Sequence, residues 1–383
     1  MAKPYKKHNS FSAVGGSDLA SVKLSVKKKI QNLAQGFGLI NQTAYSDILE
    51  KAIVELERAS NQNDFQSDIF NSFDLFELDR LPKDLWARYL IYRYKYVVFP
   101  KTRQLDAFPP CVQIEPTSIC NLRCKFCYQV DDKLSNKANG HMGQMTLDLF
   151  KSVVDQLEGN VDAVTLASRG EPTLAKSFPD MMNYLKGKFV GLKINTNATR
   201  LKEPIIESIL DAEPAVLVFS MDSANEAEYE SMRVNAKFTQ VVENIKRVVD
   251  IKQTNFTNSR TILRVSGVNY EGNDLGYSSL ENCFGGSLDQ IALVEMVPWI
   301  DPYNSELSGV QEPCSDLWRR MFIWWDGSVG VCDVDYLQSI KIGNVRNTGK
   351  TVSQLWLSEE YTNLRASHIA AERAGVCASC QVC

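Results

Sequence analysis

Between residues 111 and 296 the chain alternates short apolar runs with amphipathic stretches of helical period, and this alternation restricts the possible folds more than any other feature. β-Branched strands separated by such helices predict a parallel sheet with right-handed crossovers. Six units predict an α/β fold, a partial (β/α)6 barrel rather than a closed eight-fold one. The predicted strands cover residues 112–115, 163–167, 190–195, 215–221, 261–266 and 290–294.

The remaining sequence divides into segments on either side of the barrel, which is assigned residues 106–300. Residues 1–20 are polar and are predicted to be disordered, and residues 21–105 carry the period of a helical region. After residue 300 the pattern changes to a β-hairpin turning at Asp326-Gly327 and a helix near residue 351. Residues 301–383 are therefore predicted to be a small β-hairpin and helix domain.

Composition excludes several classes of protein. Of the 383 residues 44% are hydrophobic, which is enough for a large core, and the net charge of −4 does not indicate a nucleic-acid partner. The basic, polar start of the chain lacks the apolar region of a secretory signal, and no apolar stretch is long enough for a membrane span. These features predict a cytoplasmic protein, in a compartment where thiols stay reduced.

Three of the ten cysteines lie within eight residues, directly after the first predicted strand. Cys120, Cys124 and Cys127 have the spacing Cys-x3-Cys-x2-Cys. Three thiolates on one loop can bind three irons of a [4Fe–4S] cluster, which normally has four cysteine ligands, so one iron stays open. Buried structural thiols and a zinc site are the alternatives, although zinc lacks a nearby fourth ligand, His141 being the nearest histidine.

This cysteine run, placed after a first strand, resembles the radical S-adenosylmethionine (SAM) enzymes over residues 111–383. The resemblance implies that SAM chelates the open iron through its amino and carboxylate groups. It implies reductive cleavage of SAM to a 5′-deoxyadenosyl radical that removes hydrogen from a substrate. It also implies an electron donor such as a flavodoxin or ferredoxin.

Further motifs occur where this family has its SAM-binding residues. Ser168-Arg169-Gly170-Glu171-Pro172 resembles the family's Gly-Glu-Pro segment, which receives the SAM amino group, and Phe126 resembles the aromatic residue near the adenine. Polar residues at later strand ends resemble those that contact the ribose and carboxylate. An ordinary turn or a solvent-facing strand end could also carry each of them. The residues expected to bind SAM are Phe126, Gly170, Glu171, Pro172, Asn197, Ser220, Asp222 and Arg264.

The C-terminal cysteines resemble the auxiliary-cluster extension of this superfamily, the SPASM or shorter twitch domain. Cys314, Cys332, Cys377 and Cys380 are expected to ligate one further [4Fe–4S] cluster completely. The full SPASM pattern needs seven cysteines, so only one auxiliary cluster is expected here, and Cys383 is then a spare thiol, an alternative ligand or a partner-facing thiol. The spacing is similar to that of radical SAM aminocyclitol dehydrogenases, and a structural zinc site is the alternative.

These expectations lead to a hypothesis about the reaction. The resemblance predicts oxidation or epimerisation of a small polyol, sugar or aminocyclitol, with the auxiliary cluster accepting an electron. The candidate proton acceptors are Arg169, Glu295 and Asp301, and Glu295 is preferred because it is a carboxylate that follows the sixth predicted strand. Modification of a peptide or protein side chain is the second hypothesis, and a non-enzymatic iron–sulfur electron carrier is the third.

Overall fold

The computed structural model describes residue 5 and residues 11–16, 19–34, 45–61, 67–270, 276–296 and 301–383. All six predicted strands are present within a ten-stranded sheet, and they lie side by side and parallel, which confirms the predicted α/β fold. The strands are β1 Phe11–Gly16, β2 Cys111–Ile114, β3 Arg123–Cys124, β4 Ala163–Leu166, β5 Gly191–Thr196, β6 Val216–Ser220, β7 Arg233–Val234, β8 Ile262–Asn269, β9 Gln290–Glu295, β10 Arg320–Ile323, β11 Ser328–Gly330 and β12 Gly343–Asn344.

Helices connect these strands and cover both faces of the sheet. Those between the parallel strands are crossover connections, as the alternating pattern predicts. The helices are α1 Leu19–Ala34, α2 Ser46–Ser60, α3 Ser72–Arg80, α4 Trp86–Thr102, α5 Asp132–Ser135, α6 Leu147–Leu157, α7 Phe178–Leu185, α8 Glu203–Ala212, α9 Glu226–Met232, α10 Phe238–Asn255, α11 Gly276–Phe284, α12 Asp316–Arg319, α13 Val352–Trp356, α14 Glu359–Ile369 and α15 Val376–Ser379.

The two faces of the sheet pack against different parts of the chain. Leu217 and Phe219 of β6 belong to the main core, together with the crossover helices. Val216 and Val218, which alternate with them, pack on the opposite face against Phe76 of α3. The N-terminal helices therefore close the concave side of the open barrel, and the carboxyl ends of the parallel strands meet at one edge.

The C-terminal region continues the same sheet. Strand β10 pairs in parallel with β2, and β11 and β12 follow in antiparallel pairing. The predicted hairpin is present, and Gly327 has φ +85°, a left-handed conformation that favours glycine. The hairpin thus joins the barrel sheet through β2, so the small C-terminal domain is continuous with that sheet.

Of residues 1–20, which are predicted to be disordered, the structure describes residues 5, 11–16 and 19–20, and the others lie outside the described residues. Strand β1 pairs antiparallel with β9 at the far edge of the sheet. The sequence of β1 includes the apolar residues Phe11 and Val14. The edge strand β9 would otherwise leave backbone groups unpaired, and β1 pairs with these groups.

Among the described residues, no helix is long and apolar enough to cross a lipid bilayer.

Candidate functional site

The three clustered cysteines follow β2 at the carboxyl edge of the sheet. Cys124 lies in the two-residue strand β3, which pairs with β7, so that Cys124 and Arg233 are direct neighbours. The amide of Cys127 donates to the Cys124 carbonyl at 2.9 Å, which tightens the loop. Burial raises the pKa of the Cys120 and Cys127 thiols to about 12. Iron binding would therefore have to displace their protons.

The surroundings of the thiols fit an iron–sulfur cluster. The Leu122 amide donates to Cys120 Sγ at 3.4 Å, and Asn197 Nδ2 lies 3.8 Å from the same sulfur. Donors to cysteine sulfur stabilise a thiolate ligand and tune a cluster. Across the described ranges, no group of three or more His, Cys, Asp and Glu is arranged around a single metal ion. A four-iron cluster separates its thiolates more widely than one ion does.

Gly170 allows the loop after β4 to pack directly on the cysteine loop. A Cβ atom at this position would lie 2.2 Å from the Thr117 carbonyl oxygen and 2.7 Å from that of Ile119. The next residue, Glu171, donates its amide to the Ile119 carbonyl at 2.9 Å. Only glycine permits this approach, which sets the Gly-Glu-Pro segment beside Cys120.

The Glu171 carboxylate joins the ends of two neighbouring strands. Its Oε1 accepts from the hydroxyls of Thr173 and Thr196, each at 2.6 Å, and its Oε2 accepts from the Asn197 amide at 2.7 Å. Burial raises its pKa, although these donors act in the opposite direction. Glu171 thus positions the β5 end, and Pro172 begins the short 3₁₀ turn that follows it.

Asp222 is engaged with a residue that the sequence reasoning missed. Its two oxygens accept from Nε and Nη2 of Arg233, at 2.7 and 2.8 Å, and both side chains are buried. Arg233 Nη1 lies 4.0 Å from Cys124 Sγ, and its guanidinium carbon is 5.2 Å from the Phe126 ring centre. Asp222 therefore holds a cation against the cysteine loop.

The other predicted SAM-binding residues fall into two groups. Asn197 directly follows β5 and Ser220 is the last residue of β6, so both lie at the carboxyl edge with the cysteines. Arg264 is only the third residue of the eight-residue strand β8. Its Nε donates to Gln290 Oε1 at 2.6 Å, and its guanidinium packs 4.2 Å from the Phe73 ring centre. The structure does not bring Arg264 to the strand ends.

Glu295 is the last residue of β9, and its exposed side chain accepts from Asn269 Nδ2 at 3.3 Å. Both residues end neighbouring strands, since Asn269 is paired with Glu295 in the ladder. The predicted proton acceptor therefore lies at the rim of the barrel mouth.

The C-terminal cysteines form a second group. Cys314, Cys332, Cys377 and Cys380 line one small cavity together with His368 and Arg373. His368 is 1% exposed, and its Nδ1 accepts the Cys314 amide at 3.3 Å. Its Nε2 is buried with no hydrogen-bond partner in the described part of the chain. Four cysteines around one cavity are the donor set of a fully ligated cluster.

Cys383 does not line this cavity. Its sulfur lies 3.4 Å from Glu312 Oε2 and 3.9 Å from the Tyr5 carbonyl oxygen. Its amide also donates to the Tyr5 carbonyl at 3.2 Å. The terminal cysteine is therefore directed toward the N-terminal segment.

Polar contacts connect the second cysteine group to the barrel mouth. Asp333, next to Cys332, accepts from Gln113 Nε2 at 2.8 Å and from the Ser168 hydroxyl at 2.9 Å.

Arg169 forms a buried bidentate pair with Glu115, at 2.8 and 2.6 Å. This pairing removes Arg169 from any role as a free base.

Comparisons with known proteins agree with this geometry. The profile of the radical SAM superfamily matches residues 114–272, and that of an iron–sulfur cluster-binding domain, SPASM, matches residues 314–383. Mycofactocin maturase MftC of Mycolicibacterium smegmatis is 25% identical over 186 residues, which are 49% of this chain and 45% of that protein. The match thus spans less than half of that relative's length.

Two further similarities cover more of the chain. The tungsten-containing aldehyde ferredoxin oxidoreductase cofactor-modifying protein of Pyrococcus furiosus is 25% identical over 300 residues, 66% of this chain and 82% of that protein. The crystal structure of Streptococcus suis SuiB bound to precursor peptide SuiA has the same fold, with a TM-score of 0.54 at 14% identity, covering 84% of this chain and 79% of SuiB. The chain belongs to the radical SAM superfamily, whose domain implies a [4Fe–4S] cluster and SAM, and it carries a C-terminal SPASM domain, which implies auxiliary iron–sulfur clusters.

Proposed function

We propose that this radical SAM enzyme oxidises its substrate by two electrons. The observation that carries the proposal is the pair of cysteine groups, three cysteines at the barrel mouth and four around a separate cavity. Three ligands leave room for SAM at one iron, whereas four leave no open iron and favour electron transfer. When bound, the first cluster and SAM supply a radical that takes one hydrogen atom from the substrate.

The residues of the mouth have distinct proposed roles. Cys120, Cys124 and Cys127 would hold the first cluster. Gly170 and Glu171 would present their backbone carbonyls to the SAM amino group. The Glu171 side chain would not bind that group itself, because its carboxylate already accepts several internal hydrogen bonds.

Asn197 and Ser220 are proposed to contact the ribose and carboxylate of SAM from the ends of β5 and β6. Phe126 would lie against the adenine. Asp222 is proposed to act indirectly rather than by contacting SAM, because it holds Arg233 beside Cys124 and Phe126.

After the hydrogen atom has been abstracted, the substrate radical must still lose one proton and one electron. From a carbinol, the hydroxyl proton would pass to the rim carboxylate Glu295. The electron would pass to the cluster held by Cys314, Cys332, Cys377 and Cys380, and the carbon–oxygen single bond would become a carbonyl. An external donor such as a flavodoxin or ferredoxin would supply the electron that cleaves SAM.

A small polar molecule, such as a polyol, sugar or aminocyclitol, is the substrate class we propose first. Helices α3 and α4 close the concave side of the barrel, and a cavity of about 250 Å³ lies between them and the strands. That volume suits a small ligand rather than a folded partner. Epimerisation of the same class of molecule would use the same hydrogen abstraction without electron transfer to the second cluster. The substrate radical would instead take a hydrogen atom on its opposite face from a thiol, and the external reductant would return the thiyl radical to the thiol with one electron and one proton.

Peptide modification is the second candidate, and the relatives favour it. MftC is named as a maturase, and the SuiB structure contains a precursor peptide. The two candidates can be separated by isotope transfer. The reconstituted enzyme, SAM and reductant are incubated with low-molecular-weight and peptide fractions of an extract from deuterium-grown cells, and deuterium in 5′-deoxyadenosine is measured by mass spectrometry.

The first candidate predicts transfer from the low-molecular-weight fraction that survives protease treatment. Transfer that protease treatment abolishes would instead establish a peptide substrate. A Cys314→Ala variant should still cleave SAM but should no longer complete the oxidation, whereas an epimerisation would continue.

A further inference from the structure

We propose that the concave side of the sheet binds a small molecule through a carboxylate or phosphate group. The site is the cavity of about 250 Å³ between α3, α4 and the strands, which we call the lumen chamber. Its charged lining residues are Asp74, Glu77, Arg93, Lys193, Arg264 and Arg320.

The charges around the chamber do not balance. Asp74 forms an ion pair with Arg93 at 2.9 Å, and Glu77 lies 3.7 Å from Arg264. These two pairs use both carboxylates of the lining. Two cations therefore remain without an opposite charge from the chamber walls.

Lys193 and Arg320 are these two cations. In the part of the chain that the structure describes, the Lys193 ammonium has no hydrogen bond, and neither side chain has a carboxylate within 4.0 Å. Arg320 donates to the Tyr96 hydroxyl, but its Nε is buried without a partner. Both side chains are half-buried, so each charge is partly removed from water without a counter-ion, and an anionic ligand in the chamber would offset that desolvation.

Further unused polar groups face the same cavity. Arg264 is 4% exposed, and its Nη2 has no hydrogen-bond partner among the described residues. The side-chain oxygen of Asn195 is likewise buried and unpaired within those residues. A carboxylate or phosphate offers several acceptor oxygens to such donors, and Asn195 could accept from a hydroxyl of the same ligand. A neutral or cationic ligand would leave the two charges unpaired, so within the proposed substrate class the chamber favours a phosphorylated or carboxylated sugar or polyol over an aminocyclitol.

The chamber lies directly below the proposed SAM-binding edge. Lys193 precedes Asn197 by four residues of β5, which places it about 13 Å lower along the strand. A ligand anchored at Lys193 could therefore extend its other end toward the mouth. That this ligand is the substrate rests on the proposed function, whereas the binding of an oxyanion does not.

Calorimetric titration of the reconstituted holoenzyme tests the proposal. Sodium succinate and sodium phosphate are the two probes, at ionic strength held constant with sodium chloride, and glycerol is the neutral comparison. We expect one succinate or phosphate per chain, and the tighter of the two identifies the carboxylate or the phosphate as the preferred group. We expect Lys193→Met to weaken binding about tenfold or more, because a hydrogen bond to a charged group is lost.

Lys202→Met is the matched control, since Lys202 is exposed at the start of α8, outside the chamber. It should bind as the wild type does. Arg320→Gln provides a second test if Lys193→Met does not fold. Absence of binding by both probes, or binding by Lys193→Met as tight as the wild type, would overturn the proposal. SAM cleavage is assayed separately without a probe, so failure of the radical chemistry would be distinguishable from failure of the chamber.

Discussion

Tyr128 stacks on Tyr336, with ring centres 5.3 Å apart and planes inclined by 20°. Tyr128 directly follows Cys127, and Tyr336 lies four residues after Cys332, so the loops that carry the two cysteine groups are in direct contact. The Tyr128 hydroxyl donates to the Ser168 carbonyl at 2.9 Å, which ties the same pair to the strand end after β4. The second cysteine group is therefore docked onto the barrel mouth.

Gly170→Ala should disrupt the first cluster. The added methyl group would lie 2.2 Å from the Thr117 carbonyl oxygen, and backbone cannot yield as a flexible side chain does. We expect the loop before Cys120 to move, and iron and sulfide bound after reconstitution to fall by about half as one of two clusters is lost. Iron and sulfide analysis with the visible spectrum measures this.

Gly187→Ala is the matched control for Gly170→Ala. Gly187 has φ +73°, and a Cβ there would meet no atom within 4 Å. It should cost only the strain of a left-handed residue, about 1 kcal/mol, and should leave the iron content unchanged. Full iron loading in Gly170→Ala would contradict the packing role assigned to this glycine.

Cys314→Ala and Cys383→Ala should differ in their iron content. Cys314 lines the cavity shared with three other cysteines, whereas Cys383 is directed at Glu312 and Tyr5. We expect Cys314→Ala to lose about four irons per chain and Cys383→Ala to lose none. Equal losses in both variants would show that the terminal cysteine is also a ligand.

His368→Phe should lower the reduction potential of the second cluster. The Nδ1 of His368 accepts the Cys314 amide, so its Nε2 carries the proton of a neutral ring. His368 lines the cysteine cavity, and its Nε2 has no acceptor among the described residues. A donor to cluster sulfur stabilises the reduced, more negative state. An electron paramagnetic resonance titration, in a background with Cys120, Cys124 and Cys127 replaced by alanine, measures the potential.

His368→Gln retains an N–H donor and should lie closer to the wild type than His368→Phe does. An unchanged potential in His368→Phe would exclude the hydrogen bond to the cluster. The prediction concerns only the second cluster, so in variants that retain Cys120, Cys124 and Cys127 the potential of the first cluster should stay the same.

Oxyanion binding to the lumen chamber should weaken as the pH rises through about 8. Burial lowers the pKa of Lys193 to about 8, so its ammonium is charged below that pH and neutral above it. Calorimetry with succinate, which stays fully ionised above pH 7, should show this loss in the wild type and a flat profile in Lys193→Met. A flat wild-type profile would contradict the role of the Lys193 ammonium.

Other charged or titratable groups line the same chamber as Lys193. They are Asp74 and Glu77 of α3, Tyr92, Arg93 and Tyr96 of α4, Cys111 of β2, Arg264 of β8 and Arg320 of β10.

Sequence reasoning predicted the fold because parallel strands buried on both faces have a strong local signature. The runs that became β4, β5 and β6 could be located to within a few residues for this reason. The spacing of Cys120, Cys124 and Cys127 was equally informative, since cluster ligands on one loop are local in sequence.

The remaining features depend on contacts between distant parts of the chain. Arg264 was expected at the SAM site because it lies on a barrel strand. The hydrophobic periodicity of the sequence does not show that α3 covers the concave face, where Glu77 and Phe73 contact Arg264. Arg233 was missed because its two-residue strand has no pattern of its own. Its role follows only from the pairing with Cys124 and from Asp222.

Anaerobic reconstitution with iron and sulfide, followed by reduction with dithionite in the presence of SAM, tests the central claim most directly. We predict about eight irons per chain and formation of 5′-deoxyadenosine. Cys124→Ala should keep about four irons and form none of this product. An intact first cluster in the wild type that yields no 5′-deoxyadenosine would contradict the assignment of Cys120, Cys124 and Cys127 as the site of radical SAM chemistry.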